Sequence, residues 1–101
     1  MQTLKLADDL FEPLERGEKH VTIRKGRRDI QLGDLQFQGI GDESLKKIVE
    51  VTEIRYLRVS GIPDYMCVED GFNDWIDFFN GMKRFYPELK ATNEVTIIYF
   101  E

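Results

Sequence analysis

The stretch "GEKHVTIRKGRRD", residues 17–29, sets Lys19 three positions ahead of Thr22 in a chain that is acidic overall. A lysine whose pKa is lowered by burial can take the proton of a hydroxyl. Hydroxyl–lysine pairs are a recurrent way of making a side-chain oxygen nucleophilic. On a flat strand, positions i and i+3 point to opposite faces. The two side chains therefore converge only if Lys19 lies in a bend before the strand settles, and Gly17 allows that bend. Spacing alone does not make the pair catalytic. His20 is the lone histidine and a candidate pocket residue. Arg24, Lys25, Arg27 and Arg28 cluster on the following turn, where they are suited to a phosphate or an RNA backbone.

Other chemistries find little support. One His and one Cys supply no zinc-ligand spacing, so no metal and no cofactor are expected. "GIGD" is not a phosphate-binding loop. Cys67 reads as a small buried residue.

These residues must be positioned by a single domain over residues 1–101. Hydrophobic content is 42% and charged content 33%, ordinary for a globular chain. The net charge of -5 disfavours nonspecific duplex binding. A lone cysteine rules out an internal disulfide and suggests a reducing cytoplasm. The N-terminal residues show no basic-then-apolar leader pattern, and no apolar run is long enough for a membrane helix.

"LKL" at 4–6 reads as a short strand, and "DDLFEPLERG" as a helix with Asp8 or Asp9 as cap and Gly17 at its end. "KHVTIR" alternates, with Val21 and Ile23 on one face and His20, Thr22 and Arg24 on the other. A strand "LQFQGI" follows. A long alternating segment then runs from Ser44 to Val59, with phase slips between Ile48 and Val51 and again later that predict a bulge or bend. "NDWIDFFNGMKRFYP" predicts a helix whose Trp75, Phe78, Phe79, Met82, Phe85 and Tyr86 face the core, and Pro87 ends it. "EVTIIYF" is a strand. Five or six short strands and two main helices predict a small α+β β-barrel.

"GEKHVTIR" resembles the signature of the ASCH domain, a PUA-like barrel family, whose pattern Gly-x-Lys-x-x-Glu-x-Arg is met at Gly17, Lys19 and Arg24. Further matches follow in order: Gly33–Asp34 before a strand, "DGF" at 70–72 where the family often has Glu-Gly-Phe, and "FYP" closing the helix. Thr22 stands where many members carry Glu. That exchange resembles the small bacterial branch of N4-acetylcytidine amidohydrolases, in which Lys, Thr and a downstream Glu form the proposed catalytic set.

The resemblance implies a metal-independent hydrolysis of the amide of an N4-acylated cytosine nucleoside. Lys19 would act as base and Thr22 as nucleophile. The departing nitrogen needs a proton, and a carboxyl group with a raised pKa is the usual donor. Position before Gly71–Phe72 assigns it to Asp70; side-chain identity assigns it to Glu69. The fixed turn at Gly71 favours Asp70. Arg24, His20 and Arg28 are the expected substrate contacts. The alternatives are a non-catalytic module that binds RNA or a modified nucleotide and, more weakly, a small ribonuclease. The expected partner is a small modified nucleoside. RNA would bind weakly and salt-sensitively, through Arg24, Lys25, Arg27 and Arg28. The chain is expected to be a monomer with no membrane partner.

Overall fold

The computed structural model describes all residues 1–101 as five strands, three short α-helices and connecting turns. The strands are β1 (Gln2–Leu6), β2 (Val21–Lys25), β3 (Gly33–Gly39), β4 (Lys46–Arg58) and β5 (Glu94–Phe100). They form one sheet in the order β1-β3-β4-β5-β2. β1 and β3 run parallel and every other neighbouring pair is antiparallel. The sheet curls without closing: its edges, β1 and β2, share no backbone ladder. They are instead joined by the Arg24 side chain, whose Nη1 donates to the Lys5 carbonyl at 2.6 Å.

The alternation of β5 shows how the core is divided. Val95 and Ile97 pack with Val21, Ile23 and the buried residues of the two later helices. Ile98 and Phe100 pack with Leu35, Phe37, Val49, Val51 and the first helix. β5 is thus buried on both faces, which is why it reads as an almost continuous apolar run. Directly opposed residues of an antiparallel pair share a face. Thr22 sits opposite Ile98 and Arg24 opposite Thr96, so the polar side of β2 turns away from Val21 and Ile23.

Of the slips expected in the long strand, the later one is present, as a register shift between Val51 and Glu53. Val49 and Val51 are in phase and buried, whereas Ile48 is 52% exposed. The slip falls between Val51 and Ile54.

α1 (Phe11–Glu15) follows a 3-10 turn at Asp8–Leu10 and buries Phe11 and Leu14. Pro13 is accommodated because it lies in the first turn, where its missing N–H would have no helical acceptor. Neither Asp8 nor Asp9 caps this helix. Asp8 accepts instead from the backbone N–H groups of Gly41 (3.1 Å) and Asp42 (3.0 Å), tying the β3–β4 loop to the end of β1.

α2 (Asp64–Glu69) is a helix the sequence pattern does not predict. It buries the adjacent pair Met66 and Cys67, which carries no 3.6-residue period, and its start follows Pro63. α3 (Trp75–Met82) is capped by Asp74, whose side chain accepts from the Asp77 N–H at 2.8 Å. It stops at Met82, so Lys83 to Tyr86 lie in a turn beyond it. Phe78 and Met82 are buried, while Trp75 and Phe79 stack with ring centres 5.1 Å apart at the core's margin. No helix is long and apolar enough to cross a membrane.

Candidate functional site

Two helix ends built on the same design deliver two of the expected residues. In α1, Gly17 has φ +72°, its N–H donates to the Leu14 carbonyl (3.1 Å), and the Glu18 N–H reaches the Pro13 carbonyl (2.9 Å). In α2, Gly71 has φ +93°, its N–H donates to Val68 (3.0 Å), and the Phe72 N–H reaches Cys67 (3.0 Å). Both are Schellman ends, which fix a left-handed residue just past the helix. The first turns the chain so that Lys19 lies ahead of β2. The second makes Asp70 the last residue of its helix end.

The two side chains meet. Lys19 Nζ donates to Asp70 Oδ1 at 2.9 Å and to the Val21 carbonyl at 2.8 Å. Their side chains are only 10% and 9% exposed, so this is a nearly buried ion pair. Burial pushes the Asp70 carboxyl above its ordinary pKa, against the opposing pull of the Lys19 charge and hydrogen bond and the Arg24 charge. Glu69, the alternative carboxylate, is exposed and takes no part in this pair.

Thr22 is 5% exposed, and its Oγ1 accepts from Arg24 Nε at 3.2 Å. Arg24 itself is mostly buried. Burial lowers its pKa, opposed by Tyr86; the Arg28 charge lowers it further, and Asp70 raises it. Arg28 is oriented by the Lys25 carbonyl (2.9 Å from Nε) and by Tyr86 Oη, 3.4 Å from Nη2. Its backbone N–H donates to Thr96 Oγ1 (2.8 Å), and that hydroxyl donates onward to the Gly26 carbonyl (2.7 Å). Thr96, fully buried on β5, thereby holds the turn that carries Arg28.

Lys19, Thr22, Arg24, Arg28 and Asp70 all line one cavity of about 640 Å³. That is within the size range of small-molecule sites. The cavity occupies the gap between the sheet edges β1 and β2, closed on its far side by Phe72 and the turn after α3. His20 is exposed and is not part of this wall, although it lies next to Lys19; its carbonyl is engaged by the Phe100 N–H at 2.9 Å. The basic turn is also divided. Arg27 lies over the Tyr56 ring, 3.8 Å from its centre, and pairs with Glu94 at 3.5 Å. Lys25 borders a separate, shallower depression. Only Arg24 and Arg28 of the four turn towards the cavity.

The sequence reading did not place Phe85, Tyr86, Arg84 or Phe72 in the cavity wall. Phe85, expected in the core, is 51% exposed at the cavity's edge. The reason is that α3 ends at Met82, so helical spacing no longer sets the direction of Phe85. Cys67 is fully buried, and burial followed by the charges of Asp64, Asp70 and Asp74 pushes its thiol up to about 11. No three His, Cys, Asp or Glu side chains gather as a metal-ligand set.

The sequence matches no family model and no curated protein. The structure resembles the crystal structure of the ASCH domain from Lactobacillus crispatus JV V101, with a TM-score of 0.75 at 12% identity over 99% of this chain and 79% of that one. The likeness shows that the chain has the small α+β fold of an ASCH domain.

Proposed function

We propose that the cavity hydrolyses the amide of an N4-acylated cytosine nucleoside, as in the N4-acetylcytidine amidohydrolase branch that the sequence resembles. The observation that carries this reading is the convergence of Lys19, Asp70 and Thr22 on one cavity, with Lys19 held 2.9 Å from a nearly buried carboxyl group. A buried Lys–Asp pair can exist as two charges or, after one proton moves, as an amine and a carboxylic acid. Burial pushes the Asp70 carboxyl above its ordinary pKa, the direction that favours the carboxylic acid.

With the proton on Asp70, Lys19 would accept the Thr22 proton as Oγ1 attacks the acyl carbonyl. Asp70 is the nearby acid whose proton can pass to the departing N4 as the C–N bond breaks. Water then cleaves the acyl-threonine, releasing the carboxylic acid and the free hydroxyl, so the net reaction is amide plus water to amine plus acid. Arg24, which donates to Thr22 Oγ1, orients the hydroxyl and places positive charge beside the oxygen that becomes nucleophilic.

The test is incubation with N4-acetylcytidine, followed by chromatographic detection of cytidine. Release should be undiminished by a chelator. Thr22→Ala and Lys19→Ala should each nearly abolish it, and the double variant should be little worse than either, because the residues act as a unit. A folded protein that releases cytidine no faster than buffer would move the assignment to a non-catalytic module binding a modified nucleotide or RNA.

A further inference from the structure

Three of the four arginines outside the cavity pair with carboxylates, and none of the three that line it does. Outside the cavity, Arg16 pairs with Glu12 and Glu18, Arg27 with Glu94 and Arg55 with Glu53, while Arg58 is exposed to solvent. Arg24, Arg28 and Arg84 line the cavity, and none of them forms an ion pair with a carboxylate. In a chain with 19 acidic side chains, three unpaired guanidinium groups facing one space require an explanation. The lysines of the wall do not add to the excess, because Lys19 is paired with Asp70 and Lys5 with Glu43 (3.8 Å). One exposed carboxylate, Asp9, also lines the cavity and forms no ion pair with these arginines.

Their hydrogen bonds show which part of the cluster is free. Arg24 is occupied at Nε by Thr22 and at Nη1 by the Lys5 carbonyl. Arg28 is anchored through Nε and Nη2, which leaves Nη1 without an acceptor. Arg84 makes no side-chain hydrogen bond; its guanidinium lies 5.6 Å from the centre of the Phe85 ring. A planar guanidinium fork matches the oxygens of a phosphate and holds them by charge-assisted hydrogen bonds. The free Arg84 fork and Arg28 Nη1 together suit a phosphate monoester, which presents three acceptor oxygens and up to two negative charges to the two cations.

We propose that Arg28 and Arg84 form a phosphate subsite at the outer end of the cavity, so that its ligand is a phosphorylated nucleoside. The identity of the base rests on the deacylation reading above; the phosphate subsite rests on the arginines alone. Bound phosphate relieves the repulsion between Arg28 and the more deeply set Arg24, and gives the unpaired guanidinium groups the counter-charge that the protein withholds.

The experiment compares cytidine, cytidine 5′-monophosphate and inorganic phosphate by calorimetric titration. Hydrogen bonds to charged groups predict that the monophosphate binds about 10-fold or more tightly than cytidine at low salt. The advantage should shrink at about 0.5 M salt, where charges at the cavity mouth are screened. Arg84→Gln, at an exposed position, should remove most of the advantage while leaving cytidine affinity and folding intact, and Arg28→Gln should act in the same direction. Inorganic phosphate should compete with the monophosphate and not with cytidine.

Equal affinity for cytidine and its monophosphate overturns the subsite, as does an advantage that survives both substitutions. A trinucleotide that binds more tightly than the monophosphate assigns the phosphate to an RNA chain; one that binds no better assigns it to a free nucleotide. If N4-acetylcytidine is not hydrolysed but the arginine-dependent preference is present, the deacylation reading falls and the subsite stands. If N4-acetylcytidine is hydrolysed and its 5′-monophosphate gains nothing in kcat/KM, the subsite falls and the deacylation reading stands.

Discussion

Replacing Lys19 with Met removes the charge of the buried pair while conserving most of its volume, and it isolates what Asp70 experiences. The carboxyl is already raised above its ordinary 3.8, with burial as the main cause and Lys19 as the main opposing influence. Without Lys19 it rises further. Leaving one partner of a buried pair uncompensated costs about 3–5 kcal/mol at neutral pH. For a domain of this size, where 1 kcal/mol moves Tm by about 4–8 °C, that is a loss of roughly 12–40 °C.

The pH dependence separates this cause from simple loss of packing. A carboxyl whose folded pKa exceeds its unfolded pKa binds more protons in the folded state. Stability is then greatest below the unfolded value and is lost as pH rises through the folded pKa. Lys19→Met should therefore regain stability on acidification from neutral towards pH 4, with a slope of up to about 1.4 kcal/mol per pH unit. Wild type should show the same sign over a narrower window. The double variant Lys19→Met/Asp70→Asn should lose the steep response. Circular-dichroism melts across this range measure all three. A Lys19→Met variant with wild-type Tm and pH profile would refute the buried-pair argument.

Three further outcomes follow from the geometry. Gly81→Ala places a methyl group against the Phe72 ring at the cavity's edge, and overpacking of this kind should cost about 1–3 kcal/mol in urea unfolding. Cys67, fully buried with its thiol pushed up to about 11, should react with an aromatic disulfide reagent at pH 8 on the order of 100-fold slower than free cysteine, and should recover its reactivity in denaturant. Asp74→Ala removes the α3 cap and should lower stability by about 0.5–2 kcal/mol, with Asp74→Asn recovering most of the loss.

Where the sequence carried a period or a special backbone requirement, it was readable. The alternation of β2 separates Val21 and Ile23 from Thr22 and Arg24 as the structure does, and the apolar run of β5 marks a strand buried on both faces. The bend of β4 is legible as a slip in alternation, and of the slips only the later one marks it. Ile48 is apolar, yet Val49 and Val51 hold the inward phase and leave Ile48 in solvent. α2 is not legible because a six-residue helix shows fewer than two turns of pattern, and its two buried residues are adjacent. Phe85 was misread for the opposite reason: helical spacing was extended past Met82, where the helix has ended. His20 obeys the alternation argument only within the strand, and it lies just before β2 begins.

The placement of Asp70 rather than Glu69 beside Lys19 shows how such a choice is made by the backbone. Side-chain type favours glutamate, and a shift of one residue would be enough to exchange them. The shift is not available. The Schellman end requires a residue with positive φ just past the helix, and only Gly71 meets that need without strain. With Gly71 fixed, the Phe72 N–H must reach the Cys67 carbonyl, and the Phe72 ring packs edge-on to Phe78 with centres 5.7 Å apart. Moving Glu69 into the place of Asp70 would pull Phe72 from that contact and put a residue with a Cβ into the left-handed position. Gly17 imposes the same order on Lys19 from the other side. Two glycines far apart in sequence thus set which carboxyl and which amine meet, before either side chain's chemistry is considered.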